Sequence, residues 1–142
     1  MQKGYLVIDL LVSCLILIIL SSYIFISMSS IKDSLNIQNT AEELVLNIRQ
    51  LQIGTMNNIE INRQIVFQAN PPLYRVIKGA DVLKTCELPK NIFFIGEPTN
   101  IQFNLRGMPI RGAQTITLYI IGTEQKKTIT IVPITGRIAI ID

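Results

Sequence analysis

The sequence contains no histidine among its 142 residues. Histidine is the usual general base near neutral pH and the commonest metal ligand in proteins. Serines are present, but no pattern marks a base partner for any of them, and no glycine-rich phosphate loop follows a predicted strand. The composition therefore predicts a protein that is not an enzyme and that uses no cofactor.

Cysteine is scarce as well. Its two copies are Cys14, inside an apolar run, and Cys86, far beyond that run. We expect the two not to meet within one subunit, which argues against an intrachain disulfide. No cluster of cysteines has the spacing of a zinc site, so no metal is predicted.

Glycine and proline are missing from Tyr5 through Ile53, whereas the chain from Gly54 onward holds seven of the eight glycines and all six prolines. Because these residues interrupt helices, the stretch without them predicts helix. Thr40 followed by Glu43 resembles a capping box. The sequence is therefore compatible with two alternatives, a helix that breaks near residue 39 and one uninterrupted helix. Asn47 is predicted on the solvent side of this helix. Apolar residues at helical spacing predict a buried stripe, made of Ile31, Leu35, Ala41, Leu44, Val45, Ile48 and Leu51.

The longest apolar run extends from Leu6 to Ile26 and contains one acid, Asp9. About 20 helical residues cross the ~30 Å hydrocarbon core of a bilayer, so the run predicts a membrane-spanning segment. An ionised carboxylate costs on the order of 3 kcal/mol inside such a segment, so Asp9 needs a partner unless it is solvated near the headgroups. A secretory signal peptide ending near residues 27–30 and a plain single-pass anchor are the alternatives.

Beyond residue 55 the sequence has the pattern of β structure. Short runs of branched residues are separated by turn residues, and residues 115–118 and 128–131 alternate between polar and apolar. Residues 122–126 are predicted to form the loop of the hairpin between them, and Thr135-Gly136 to turn into a last strand. The predicted strands cover residues 59–68, 73–78, 92–95, 101–105, 115–121, 128–132 and 137–141.

The N-terminus resembles the class III signal sequences of type IV pilins and pseudopilins. The resemblance lies in a short leader with Lys3 and Gly4, then the aromatic Tyr5, an acid at Asp9 and a long apolar helix. It implies that a prepilin peptidase cuts between Gly4 and Tyr5 on the cytoplasmic side and methylates the new amine. It also implies that Asp9 pairs with the amine of a neighbouring subunit. The family usually has Phe at the position of Tyr5 and Glu at that of Asp9, so this chain departs from the pattern at both positions.

Later positions resemble the GspH/FimT branch of pseudopilins and minor pilins, which includes ComGD-like competence subunits. That branch carries a Leu, Arg and Gln pattern at the end of the helix, a Phe-x-x-x-Gly string before a hairpin, and Gly-Arg near the end. The matching positions are Leu44, Arg49 and Gln52, then Phe103 to Gly107, then Gly136-Arg137.

Charge favours a second function. Beyond residue 55 ten Lys or Arg residues stand against six acids, a net charge of +4. A basic surface attracts DNA through its phosphates, and some FimT-like pilins bind DNA through Gly-Arg-x-Arg. The chain has only Gly136-Arg137-Ile138-Ala139, without the second arginine. The candidate DNA-binding residues lie in or beside predicted loops and are expected to converge at one end of the sheet: Arg106, Arg111, Lys126, Lys127 and Arg137.

Taken together, these patterns and the resemblance predict an α+β fold, in which a long N-terminal helix with a transmembrane first half packs on one small antiparallel β-sheet domain. The expected divisions are a leader over residues 1–4, a transmembrane or filament-core helix over 5–26, an amphipathic soluble half over 27–54, and a β-rich globular domain over 55–142. The expected function is a minor pilin or pseudopilin of a type IV pilus, type II secretion or competence system.

That subunit is expected at the cell membrane as a single-pass protein, with its N-terminus cytoplasmic and its C-terminal domain outside, and in a surface filament after assembly. Its expected partners are the prepilin peptidase, other pilins and the membrane. A filament-tip DNA receptor, and an anchored or secreted β protein with no filament role, are the alternatives.

Overall fold

The computed structural model describes residues 3–59 and 62–141, with side chains described outside 3–6 and 23–30. One α-helix, α1, covers Lys3–Met56. Seven strands follow, and their order along the chain is β1 (Arg63–Gln68), β2 (Leu73–Lys78), β3 (Asp81–Glu87), β4 (Ile92–Phe94), β5 (Gln114–Ile120), β6 (Lys126–Ile131) and β7 (Ile138–Ile141). The chain divides into two compact units, Met1–Leu35 and Asn36–Asp142.

In the first unit, the described side chains from residue 7 to residue 22 are exposed. The hydroxyl groups of this segment bond to carbonyl oxygens of their own helix: Ser13 Oγ donates to Asp9 O at 2.8 Å, and Ser21 Oγ to Leu17 O at 2.7 Å. These bonds satisfy the serine hydroxyls without any other element. Among the described residues, no helical segment has the combination of length and hydropathy that a bilayer span requires.

In the second unit, α1 contributes one buried stripe. Ile37, Ala41, Leu44, Ile48 and Leu51 are each at most 2 % exposed, and their spacing places them on one face of the helix. The predicted stripe extended too far toward the N-terminus, since residues 31 and 35 are both exposed. The capping-box interpretation is also wrong, because the residue at position 40 is helical and its hydroxyl bonds back to the carbonyl of residue 36.

The strands form two antiparallel sheets. Sheet A has three strands in the order β1-β2-β3, and sheet B has four in the order β4-β5-β6-β7. The β5–β6 hairpin pairs Gln114 with Ile131 and Tyr119 with Lys126, which confirms the predicted hairpin. Lys126, predicted in its loop, is the first residue of β6. The last strand, β7, follows a turn at Gly136 and pairs with β6, as predicted.

A single hydrophobic core joins α1 to both sheets within the second unit. Each sheet supplies fully buried branched side chains, including Ile65 from sheet A and Ile116, Leu118 and Ile129 from sheet B. In β5 the buried and less buried positions alternate along the strand, as period-two packing of one sheet face requires.

The predicted fold class, a long helix with a transmembrane first half packed on one small sheet, is wrong. The described helical side chains fall into two shorter stretches, 7–22 and 31–56, and none of the described residues forms a candidate span. The β region forms two sheets rather than one, because alternation shows which side chains face a core but not which hairpins share hydrogen bonds.

Two strand predictions also differ from the structure. Residues 101–105 form isolated bridges, Ile65 with Ile101 and Phe103 with Pro109, rather than a strand. Strand β3 was not predicted, because six of its seven side chains are exposed and show no alternation. Its backbone pairing with β2 makes it a strand.

Candidate functional site

The side chain of Gln52, near the end of α1, holds two loops together. Its Nε2 donates to Gly107 O at 2.7 Å and to Gly136 O at 2.9 Å. Gly107 lies in the loop between β4 and β5, and Gly136 in the loop between β6 and β7. We call these three residues the Gln52 junction. One amide group therefore satisfies two carbonyl oxygens that are separated by 29 positions in the sequence.

Both glycines of the Gln52 junction have backbone conformations that other residues rarely adopt. Their φ angles are +74° at Gly107 and +63° at Gly136, in the left-handed region that favours glycine. A Cβ on Gly136 would also overlap the carbonyl oxygen of Gly107 and the amide nitrogen of Gln52. The junction thus requires glycine at residue 136 for space as well as for conformation.

The loop that carries Gly107 is shaped by Asn104. The Asn104 side-chain oxygen accepts hydrogen bonds from the backbone N–H groups of Arg106 at 2.9 Å and Met108 at 3.0 Å. Phe103, which is 2 % exposed, anchors the start of this loop in the core. The string from Phe103 to Gly107 therefore forms one local structure, with an aromatic anchor at one end and the Gln52 junction at the other.

Three of the five candidate DNA-binding residues lie toward one end of sheet B. Arg106 precedes Gly107, and Arg137 follows Gly136, so both are next to the Gln52 junction in the chain. Arg111 lies shortly before β5. The first residue of β5 and the first residue of β7 both pair with the last residue of β6, so Arg111 and Arg137 lie at the same end of sheet B. All three side chains are exposed. We call Arg106, Arg111 and Arg137 the arginine end.

The two candidate lysines lie elsewhere. Lys126 and Lys127 begin β6, and Lys126 pairs with Tyr119 at the opposite end of the β5–β6 hairpin. The six residues of β6, at ~3.4 Å each, separate the two ends by about 17 Å. The expected convergence of five basic residues is therefore correct for three and wrong for these two, because the sequence placed both groups in loops without showing that the loops lie at opposite ends.

The candidate processing residues, Lys3, Gly4 and Tyr5, fall within the backbone bounds of α1, but their side chains lie outside the described residues. Asp9 is described and is exposed. Its backbone carbonyl accepts the bond from Ser13, and none of the described residues forms an ion pair with its carboxylate.

A polar network that the sequence did not predict links α1 to sheet A. Asn47 Nδ2 donates to the Tyr74 hydroxyl at 2.7 Å, and Lys84 Nζ donates to Asn47 Oδ1 at 3.2 Å. Lys84 also lies 3.6 Å from the Glu43 carboxylate. Asn47, predicted on the solvent side, is 8 % exposed, because sheet A covers its face of the helix. No sequence signal distinguishes it from the exposed polar residues around it.

Burial is the main cause that raises the pKa of Tyr74 far above its ordinary value. A hydrogen bond with the Cys86 side chain and electrostatic interactions with Cys86 and Glu43 raise the pKa of Tyr74 further, while the hydrogen bond from Asn47 lowers it. The phenol is therefore neutral over the physiological range. The network joins α1 to sheet A through the side chains of Asn47, Tyr74 and Lys84.

The part of the chain that the structure describes contains no group of three or more metal-ligating side chains. Cys14 and Cys86 are both free thiols, the first exposed and the second buried. The predicted site residues whose side chains are described and exposed include those of the arginine end and Asp9. No protein-family model, no curated protein and no solved structure matches this chain.

Proposed function

We propose that this chain is a minor pilin or pseudopilin, a structural subunit of a type IV filament system that a prepilin peptidase processes between Gly4 and Tyr5. The observation that carries the proposal is the Gln52 junction. Gln52, Gly107 and Gly136 were each singled out by the resemblance to the GspH/FimT branch, at positions far apart in the sequence. Their meeting through one amide group supports treating them as parts of one pattern.

Asp9 provides the second support. The described apolar side chains from Val7 to Leu20 are all more than half exposed, so this segment needs cover from neighbouring subunits or lipid. An acid inside such a surface needs a positive partner once it is covered. The methylated amine of a neighbouring Tyr5 is that partner in the proposal. The subunit is held at the cell membrane before assembly, with its N-terminus cytoplasmic and its C-terminal domain outside.

The decisive experiment is mass spectrometry of the mature N-terminus of the protein from its native host. The expected mass begins at Tyr5 and includes one methyl group. Gly4→Val is expected to leave the leader attached, since the peptidase recognises the glycine in the proposal. A mature protein that begins near residue 30, or a Gly4→Val variant of normal size, would overturn the proposal.

The arginine end favours a second candidate function, a filament-tip DNA receptor. Arg106, Arg111 and Arg137 are exposed and belong to segments that meet at or near the Gln52 junction. Three guanidinium groups on adjoining loops can contact successive phosphates of one duplex. Net positive charge beyond residue 55 adds a general attraction.

The DNA proposal predicts different effects for the two ends of sheet B. For the full-length protein in detergent and a double-stranded DNA probe, we expect Arg106→Ala and Arg137→Ala each to weaken binding. Each is also expected to reduce the slope of log affinity against log salt by about 0.9. Lys126→Ala removes the same charge at the opposite end and is the matched control. Equal effects at both ends, or binding without salt dependence, would eliminate this function.

A further inference from the structure

The edge strands of the two sheets differ in length and in whether their outer backbone groups are already hydrogen-bonded. On the outer side of β1, Ile65 and Ile101 exchange two backbone hydrogen bonds of 2.9 Å. Strand β4 has three residues only. Among the described strands, β3 in sheet A and β7 in sheet B therefore present the longer open edges. Open edges of this kind pair readily with a strand from another chain.

The hydrogen-bond pattern shows which groups of β7 face outward. Val132 N donates to Arg137 O at 2.9 Å, so this pair is a hydrogen-bonded pair of the β6–β7 ladder. Bonded and non-bonded pairs alternate in antiparallel sheets. Ile138 and Ile140, which pair with Ile131 and Ile129, therefore point their N–H and C=O groups away from β6. These outward groups can pair with the backbone donors and acceptors of an extended polypeptide.

A groove runs beside this open edge, between β7 and α1. Its volume is about 390 Å³, enough for two or three side chains of an added strand. Its lining is Glu42, Val45, Leu46 and Arg49 from α1, and Ile138, Ala139 and Ile140 from β7. Leu46 is 59 % exposed at the rim. Glu42 accepts a hydrogen bond from Gln38 of its own helix. Arg49 is the basic residue of the lining, and an acid on an added strand would complement it.

Strand β3 has the properties that this groove requires. Leu88 N donates to Pro72 O at 3.0 Å, so alternation along the β2–β3 ladder turns the backbone groups of Thr85 and Glu87 outward. These two outward positions have the same two-residue spacing as Ile138 and Ile140. Strand β3 also carries exposed apolar side chains at residues 82 and 83, and Glu87 is an exposed acid.

We propose that β3 of one copy adds to β7 of the next as a fifth strand of sheet B, with Glu87 near Arg49 and apolar side chains in the groove. The proposal rests on the proposed function, because it names a contact by which filament subunits repeat. It joins two different surfaces, and a contact of this kind repeats into open chains rather than closing a dimer. Strand β7 has four residues, so the surface buried by the contact is smaller than the ~800 Å² per partner of a stable complex. The contact therefore forms at the high local concentration of a filament.

Cross-linking of the full-length protein, at a protein concentration that matches the local concentration in a filament, tests the contact. In a Cys14→Ser background, we would introduce Thr85→Cys on β3 and Ile141→Cys on β7, both at exposed positions, and treat the protein with a short bis-maleimide. Cys86 is buried and is left in place. We expect a ladder of oligomers from the double variant, one dimer from a mixture of the two single variants, and no cross-link from either single variant alone.

A matched pair on α1 provides the control. Leu46→Lys places a charge at the rim of the groove. Ile53→Lys places the same charge at a residue that does not line the groove, and the two residues are similarly exposed, Leu46 by 59 % and Ile53 by 57 %. We expect Leu46→Lys to reduce the cross-linked fraction about tenfold, the change that ~1.4 kcal/mol of lost binding produces, and Ile53→Lys to leave it unchanged. Thermal unfolding of each variant checks whether its fold is intact.

Two results would overturn the inference. One is the absence of any ladder from the double variant, and the other is a dimer from Ile141→Cys alone, which indicates pairing between two β7 strands. The N-terminal mass separates this failure from that of the proposed function. A methylated Tyr5 without a ladder eliminates only the β3–β7 contact, whereas a ladder from a protein with an unprocessed leader eliminates the pilin function.

Discussion

Gln52, Gly107 and Gly136 show how single residues position whole loops in this protein. The amide of Gln52 reaches two carbonyl oxygens, and a hydrogen bond of this kind contributes about 1 kcal/mol. Its larger effect is geometric, because it fixes the backbone beside Arg106 and Arg137. A side chain at residue 136 would separate the loops, since its Cβ has no room beside Gly107.

Two glycines with nearly equal φ angles allow a test of the Gln52 junction. Gly136 has φ +63° and Gly79 has φ +62°, but a Cβ on Gly79 would meet no atom within 4 Å. Gly79→Ala is expected to cost about 1–2 kcal/mol for the left-handed conformation alone. Gly136→Ala is expected to cost about 1–3 kcal/mol more, because it also forces the Gln52 junction apart.

Urea denaturation of the two variants measures this difference. Equal losses of unfolding free energy would show that residue 136 is constrained by conformation only. The Gln52 junction would then have no role in holding the two loops together.

At the scale of elements, α1 is joined to sheet A by a polar network as well as by the core. Asn47 and Tyr74 lie on opposite sides of this contact and are both buried. A buried hydroxyl whose partner is removed costs about 1–3 kcal/mol. The network therefore selects one position of the helix against the sheet, which apolar packing by itself specifies less strictly.

The raised pKa of Tyr74 gives this network a pH dependence. The folded state holds the phenolic proton more tightly than the unfolded state does, so its stabilising effect is complete below the unfolded pKa of about 10. It is lost as the pH rises above that value, by up to ~1.4 kcal/mol per pH unit. Tyr74→Phe is expected to be less stable than the wild type at pH 7 and to lose less stability between pH 10 and 11.

Chemical denaturation at a series of pH values checks this expectation. The difference in unfolding free energy between wild type and Tyr74→Phe should shrink as the pH rises above 10. Curves that stay parallel would show that Tyr74 does not contribute to alkaline unfolding.

At the scale of the whole molecule, the chain has two compact units of different character. The residues of the second unit share a core between α1 and two sheets. In the first unit the described apolar side chains from Val7 to Leu20 are exposed. Burial of apolar surface contributes about 25 cal/mol per Å², so covering these side chains would stabilise this unit in the proposed assembly.

The proposed pairing of Asp9 with a neighbouring amine predicts a specific assembly defect. Asp9→Asn leaves that amine without its countercharge, and breaking such a covered pair costs about 3–5 kcal/mol. We expect the variant to be processed normally but to enter sheared filament fractions at a much lower level. Asp9→Glu is expected to restore incorporation, and Glu97→Gln, at an exposed site outside the helix, is the matched control for loss of one acid.

Immunoblotting of filament and membrane fractions measures incorporation. Normal entry of Asp9→Asn into filaments would show that the carboxylate has no partner in the assembly. Failure of its leader cleavage would instead assign Asp9 to recognition by the peptidase.

Local patterns in the sequence determined the features that depend on neighbouring residues. The predicted β5–β6 hairpin and the turn at Gly136 are present, because turn residues and alternation act within a few positions. The buried stripe of α1 from Ala41 to Leu51 was also predictable from its spacing. The resemblance of Gly4, Tyr5 and Asp9 to a prepilin motif is readable without any fold, and the cleavage that it implies stays a prediction.

The tertiary structure alone decided the features that join distant segments. It divided the strands into two sheets, made a strand of the exposed β3, buried Asn47 against Tyr74, and placed Arg106 and Arg137 together while Lys126 lies at the other end. Each of these outcomes depends on hydrogen bonds and packing between residues far apart in the chain. A one-dimensional pattern does not specify such pairings, because the same side-chain alternation is compatible with several strand orders.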